Sequence, residues 1–351
     1  MSKLNIIPIF VPHLGCPLDC CFCNQKKITG VSTDISSDIV EKTILEYLSY
    51  FKRKDNVEVA FYGGSFTAID KNIQSELLSV AFKYKKKGLV NNIRLSTRPD
   101  CIDTDTLDNL KKFGVDIIEL GVQSLDDGVL ILSNRGHDSK CVQKSSELIK
   151  DYGFKLGLQQ MIGLPGDSFS KSYYTAKEFV KLKPHCVRIY PTLVVKDTAL
   201  ENDLYEGTYD ALSLSDSISI VSDILNLYYK NNINVIRVGL QPTENINYNG
   251  DVVAGPFHPA YRQLVEGNYL YNCLKNYLLA NDEKKDILIY ANGRNISNIA
   301  GQKSKNKKKL IENLKLNKLV LREKKLDNFT LEINDKNIDI RDYYKMENKC
   351  I

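Results

Sequence analysis

The stretch Pro12-His13-Leu14-Gly15-Cys16-Pro17-Leu18-Asp19-Cys20-Cys21-Phe22-Cys23-Asn24 decides the reading of the chain, because it follows directly on the apolar run Ile6-Ile7-Pro8-Ile9-Phe10-Val11. Cys16, Cys20 and Cys23 are spaced C-x3-C-x2-C. One short loop can turn three such thiolates toward a common point, which suits a soft metal or an iron-sulfur cluster. A closed zinc site takes four ligands, usually as two pairs, and no second C-x-x-C or H-x3-H pair occurs downstream. The spacing therefore points to a 4Fe-4S cluster with one iron left open. Three buried structural thiols, or an incomplete zinc loop, are the competing readings, and Cys21 is read as a bystander.

Outward from this loop, apolar residues recur at helical spacing from Ser37 to Phe51, and Val57-Glu58-Val59-Ala60-Phe61-Tyr62 reads as a buried strand ending in Gly63-Gly64. The alternation continues with a helix over Gln74 to Lys87, a strand over Ile93 to Thr97, a helix over Thr104 to Phe113 and a strand over Ile117 to Val122. Helix, strand, helix and strand follow over Lys140 to Tyr152, Leu156 to Met161, Ser170 to Leu182 and Val187 to Tyr190. Six strands alternating with helices imply parallel strands joined by right-handed crossovers, hence an α/β fold with a full or partial (β/α)6 barrel. In such barrels the loops after the strands gather at one face and carry the active site. The cysteine loop, Gly63-Gly64, Ser96 to Asp100, Gln123-Ser124 and Gly163-Leu164-Pro165-Gly166 all follow strands.

The cysteine spacing, with Phe22 just before the last cysteine, resembles the signature of the radical S-adenosylmethionine (SAM) enzymes. Among these, "FYGGSFTAID", "LSTRPD", "ELGVQSLDDGVLILSNRGH", "QQMIGLPGD", "RIYPTLVVKDTAL" and "VIRVGLQPTE" resemble the radical-SAM half of the elongator catalytic subunit, which modifies the wobble uridine of tRNA. Oxygen-independent coproporphyrinogen oxidases share fewer of these features. The resemblance implies a 4Fe-4S cluster on Cys16, Cys20 and Cys23 whose open iron binds SAM. Reductive cleavage there gives a 5′-deoxyadenosyl radical that abstracts hydrogen from substrate. It implies a radical SAM core over residues 1–190, its C-terminal extension over 191–260 and a small basic α+β subdomain over 261–351. About 100 residues remain after the matching region, too few for the acetyltransferase domain of full-length elongator subunits, so no acyl-CoA site is expected.

The same resemblance gives roles to the loops. Gly63 and Gly64 let backbone approach a ligand closely and would bond the SAM amino group. Ser96 stands where the family usually has a carboxylate for that group. Arg98 either adds polar contacts or fixes its own loop through Asp100. Gln123 and Ser124 would bond the ribose, and the guanidinium of Arg135 would meet the methionine carboxylate, unless it caps the preceding helix. Of Gln159 and Gln160, which alternate faces on a strand, one points into the barrel. Tyr190 would approach the adenine or be ordinary core.

Forty-three per cent hydrophobic and 26% charged residues is globular composition. No apolar run nears the roughly 20 residues that cross a bilayer, and the N-terminus enters a strand without the apolar core of a signal peptide, so a cytoplasmic protein without membrane contact is expected. Nine cysteines, an odd number at irregular spacing, fit a reducing compartment. His13, His137, His185 and His258 show no metal spacing. A net charge of +5 permits nucleic acid without demanding it. Between Lys303 and Lys325 ten Lys or Arg face two Glu, which suits phosphate or a solvated helix. The partners expected are an electron donor such as ferredoxin or flavodoxin and a substrate that is an RNA base, in tRNA, with a small or macrocyclic metabolite as alternative. A non-catalytic iron-sulfur redox protein is the rival from outside enzymes.

Overall fold

The computed structural model describes residues 4–11, 19–24, 35–243, 245–281 and 285–347; Cys16 and His13 lie outside the described residues. Its main sheet has seven parallel strands. These are β1 (Asn5–Val11), β2 (Val57–Gly63), β3 (Asn92–Thr97), β4 (Ile117–Gln123), β5 (Lys155–Ile162), β6 (Cys186–Pro191) and, beyond a two-residue β7 (Val194–Val195), β8 (Val235–Val238). Their order is β1-β2-β3-β4-β5-β6-β8. The expected partial α/β barrel is present, curled as a half-barrel, and a seventh strand, β8, extends it on the far edge.

Alternation along each strand decides what each face does. Ile7, Ile9, Val59, Phe61, Ile93, Leu95, Ile118, Leu120, Leu156, Leu158, Val187 and Ile189 are all buried in the core under the helices. Those helices are α1 (Ser37–Tyr50), α2 (Lys71–Lys86), α3 (Thr104–Lys112), α4 (Asp127–Leu132), α5 (Ser139–Asp151), α6 (Phe169–Leu182), a short α7 (Ala199–Tyr205) and α8 (Leu214–Lys230). Each starts on a Ser, Thr or Asp whose side chain accepts an amide of the first turn, as Asp103 does from Thr106 at 2.7 Å, so the chain is told where to leave the loops at the strand ends.

After a short β9 (Val252–Ala254), paired antiparallel with β7, comes α9 (Tyr261–Ala280). Tyr261 and Val265 in its first turns belong to the barrel core, whereas Tyr269, Leu270, Leu274 and Tyr277 belong to a second core. Around that core fold β10 (Asp286–Ala291), α10 (Gly293–Ala300), α11 (Lys305–Leu314), β11 (Lys318–Glu323), β12 (Thr330–Ile333) and β13 (Lys336–Asp339), with strand order β11-β10-β12-β13. No helix among the described residues is long and apolar enough to cross a membrane.

Of the two adjacent glutamines on β5, Gln160 lies on the helix side. It is fully buried, donates to Ser172 O at 2.7 Å and accepts from Tyr228 Oη at 2.7 Å. Replacing Tyr228 by Phe keeps the ring and leaves that amide oxygen without its donor. The expected loss is about 1–3 kcal/mol in urea unfolding, and a variant as stable as the parent would show that the bond contributes nothing net.

Candidate active site

The inner face of the barrel is polar, and it is built around Glu119. This carboxylate on β4 is completely buried. Arg94 on β3 donates to its Oε1 at 2.7 Å, and Arg188 on β6 donates to both oxygens, at 2.9 Å to Oε1 and 2.5 Å to Oε2. Arg94 turns its Nε to Glu58 on β2 at 2.6 Å, and Arg188 reaches Tyr62 Oη at 2.7 Å. Two carboxylates and two guanidiniums thus close a neutral network across four strands. Burial pushes the Glu119 carboxyl up, but the charges and hydrogen bonds of Arg188 and Arg94 outweigh it and hold the group below the usual carboxylate range. Burial also raises the Tyr62 phenol to about 12, so it stays protonated. Gln159, the barrel-facing member of its pair, donates to Glu119 Oε2 at 3.3 Å and to Ser96 Oγ at 3.2 Å.

Above this floor the strand ends meet the cysteine loop. Cys20 is buried, and its Sγ accepts from Arg135 Nη1 at 3.1 Å. Cys23 is half-buried and closes a turn by donating its amide to Cys20 O at 3.0 Å. The loop is held from two sides: Asn134 Nδ2 donates to Asp19 O at 2.8 Å, and Leu200 N donates to Cys21 O at 2.8 Å. Cys21 packs with Val194, Leu200 and Tyr209, and burial, with Cys20 and Asp203 nearby, raises its thiol to about 12, so it points away from ligand chemistry.

Arg135 sits at the centre of the mouth. Besides Cys20 it holds Gly121 O, while its Nε is buried without a partner. Its backbone oxygen accepts from Arg98, whose fork is also taken up by Asp100 at 2.9 Å through two nitrogens. Gln123 has φ +70, and its buried Oε1 likewise has no partner. A Cβ at Gly121 would come within 3.2 Å of Gln123 Nε2 and 3.5 Å of Arg135 Nη2. His137 is pushed down to about 4 by burial and by the cations of Arg135 and Arg98, so its ring is neutral near pH 7. A cation against a cysteine sulfur and two orphaned polar atoms on one small rim fit a thiolate-bound cluster with a polar ligand beside it.

The other expected residues are placed as follows. Gly63, at φ +105, lies so close to β1 that a Cβ would sit 2.3 Å from Val11 O, and Gly64 N donates to that oxygen at 3.2 Å. Strand packing therefore fixes Gly63, quite apart from any ligand. Ser96 is half-buried on the barrel side beside Gln159. Ser124 is turned toward the helices: its Oγ accepts from Asp126 N at 3.1 Å and lies 3.4 Å from Thr175 Oγ1. Tyr190 is half-buried two residues beyond Arg188, and so shares its face. Glu58, Arg94, Glu119 and Arg188 were not singled out by motif; the signal was a single charge between two apolar residues in each of four strands, V-E-V, I-R-L, I-E-L and V-R-I. Among the described residues no three His, Cys, Asp or Glu converge as metal ligands; two of the cysteine triad are described and Cys16 is not.

Glu119→Gln leaves Arg94 and Arg188 without their shared countercharge, and a loss of about 3–5 kcal/mol is expected in urea unfolding; a loss under ~1 kcal/mol would mean that the network is solvated. Gly63→Ala drives a methyl group into Val11 O immediately before the cysteine loop. Iron content after anaerobic reconstitution should fall although no ligand is changed, and full iron loading would show that the loop tolerates displacement of β1.

Residues 10–176 match the family model described as the Radical SAM superfamily, and residues 184–270 match that of the Radical_SAM C-terminal domain. An uncharacterised protein of Methanocaldococcus jannaschii is 32% identical over 221 residues, 62% of this chain and 65% of that one. A tRNA uridine(34) acetyltransferase of Dehalococcoides mccartyi is 27% identical over 258 residues, 64% of this chain and 56% of the relative. The chain thus spans less than two thirds of the length of either relative. The solved structure of the archaeal Methanocaldococcus infernus Elp3 with an N-terminal deletion (1–46) shares the fold, with a TM-score of 0.60 at 20% identity over 80% of this chain and 64% of its own. The elongator-like motifs of the loops agree with these likenesses. With a curled parallel sheet on whose strand β4 Arg135 is anchored to meet Cys20, this chain is an enzyme of the radical SAM superfamily, whose members use a 4Fe-4S cluster and S-adenosylmethionine.

Proposed function

We propose that the chain binds a 4Fe-4S cluster through Cys16, Cys20 and Cys23, cleaves SAM reductively at its mouth, and uses the product to take a hydrogen atom from an RNA base, in tRNA. The observation that carries the reading is the position of Arg135: one guanidinium touches Cys20 Sγ, is anchored on Gly121 O, and keeps a buried N–H without a partner. When bound, the two cofactors supply one-electron cleavage of a sulfonium and hence a hydrogen-abstracting carbon radical. The chain's own residues hold and orient. Arg135 offers a fixed cation for a carboxylate next to the cluster sulfur. Gln123 offers its orphaned Oε1 to a hydroxyl, and Ser96, Gln159 and Tyr190 line the wall below. The network around Glu119 keeps these strands in register. An electron donor of the ferredoxin or flavodoxin type completes the scheme.

The substrate class draws on the relative named as a tRNA uridine(34) acetyltransferase. A base in a single-stranded loop leaves its stack at little cost and can enter a mouth of this kind. A small or macrocyclic metabolite is the second reading, favoured by the exposed apolar wall of Ile6 and Phe10 on β1.

Dithionite-reduced, cluster-loaded protein given SAM should release 5′-deoxyadenosine. Arg135→Lys, which keeps the charge and loses the fork, should weaken SAM binding by about 1–3 kcal/mol. Absence of 5′-deoxyadenosine from cluster-replete protein, with or without cell extract, would defeat the reading. Nucleoside profiles of tRNA from cells lacking the gene should be missing a modified uridine; an unchanged profile with an accumulated metabolite would favour the second substrate.

A further inference from the structure

The turn Gly301–Ser304 and the outer face of α11 carry a block of positive charge that the fold itself does not use. Lys305, Lys308, Lys309 and Glu312 follow one another at helical spacing and are exposed, while Leu310, Ile311 and Leu314 face the second core. With Gln302 and Lys303 they line one shallow depression of about 640 Å³. Lys303, Lys305 and Lys308 make no salt bridge with a described carboxylate, and Lys309 rests on the Tyr271 ring at 4.7 Å. This arrangement works against the helix. Like charges three and four residues apart repel, and cations in a first turn meet the positive end of the helix dipole. Elsewhere the chain does the reverse, starting α1, α3, α4, α7 and α8 with an acidic residue in the first turn.

Helix α9 ties the block to the barrel, running from the mouth alongside α8 until Tyr269 meets Tyr229 at the far end of that helix. Tyr261, which opens α9, packs on Gly239 just past the end of β8 at the mouth, where a Cβ would meet its ring at 2.8 Å. Gly267, six residues on, touches Asn306 at the start of α11, and Asn306 Nδ2 donates to Asn298 O at 3.2 Å. Six helical residues span about 9 Å, so α11 begins about that far along α9 from its mouth end.

We propose that this lysine face is a docking surface for the phosphate backbone of the RNA whose base enters the barrel, holding a part of the RNA remote from the base to be modified. The proposal rests on the RNA reading above. Exposed, unpaired lysines with one acid among them match a polyanion, and a backbone track needs no base-specific group.

The test uses full-length, cluster-loaded protein and a labelled anticodon stem-loop RNA, with affinity measured against KCl for the parent and for Lys303→Gln, Lys305→Gln, Lys308→Gln combined. Each lost phosphate contact removes about 0.7 to 0.9 from the log-log salt slope, so the slope should become shallower by roughly 2 to 3 and affinity at 0.1 M salt should fall roughly a hundredfold. RNA-free formation of 5′-deoxyadenosine should be unchanged. Lys42→Gln, Lys87→Gln, Lys144→Gln combined, three exposed lysines on the outer barrel helices, should bind RNA as the parent does. A parent that binds with a steep slope and a Lys303/Lys305/Lys308 variant that keeps it would overturn the docking surface and leave the RNA reading standing. Equal losses in both variants would reduce the effect to net charge and overturn it too. A parent that cleaves SAM but binds no RNA at low salt would remove the RNA reading, and this surface with it.

Discussion

The side chain on which the barrel depends is the buried carboxylate of Glu119, gripped by guanidiniums from strands on either side. A lone charge at that depth would be very costly, so β3, β4 and β6 must sit where Arg94, Glu119 and Arg188 meet. A one-residue slip of any of them would turn its charge into the apolar helix side. The network thus specifies register where the apolar pattern alone would tolerate sliding, since the core faces of these strands are near-interchangeable runs of Val, Ile and Leu. With the strands fixed at the floor, their ends are fixed at the mouth. There Ser96 stands two residues after Arg94, and Gly121 and Gln123 stand two and four after Glu119.

Much of this was legible in the sequence because it is local. The alternation of strand and helix, the cysteine spacing and the loop motifs each occupy a few consecutive residues, and the structure has the anticipated elements to within a few positions. What was not legible is the meeting of distant residues. Glu58, Arg94, Glu119 and Arg188 are 25 to 69 residues apart along their bonds, and nothing in one strand says which charge in another will face it. Ser124 illustrates a finer limit. It adjoins Gln123 in the motif, but neighbours on an extended chain face opposite ways, and the left-handed backbone at Gln123 hands Ser124 to the helix N-terminus that follows.

Two glycines look alike in the sequence and differ in what holds them. Gly63 is required by the approach of β1, so its smallness serves the sheet first, and any ligand at the mouth inherits a backbone already bared. Gly121 has ordinary φ but stands below two side chains, Gln123 and Arg135, whose polar ends would be displaced by a methyl group. The first preserves architecture, the second preserves room.

Helix α9 gives the molecule one last property. Its first two turns are buried with the barrel and its later turns with the C-terminal core, and Tyr229 of α8 packs edge to face with both Tyr269 and Phe329 across the junction, with ring centroids 5.5 and 5.0 Å apart. A rigid rod shared by two hydrophobic cores transmits loss of order from one to the other, because fraying either end strips apolar surface from both. The two regions are therefore expected to unfold together rather than one at a time.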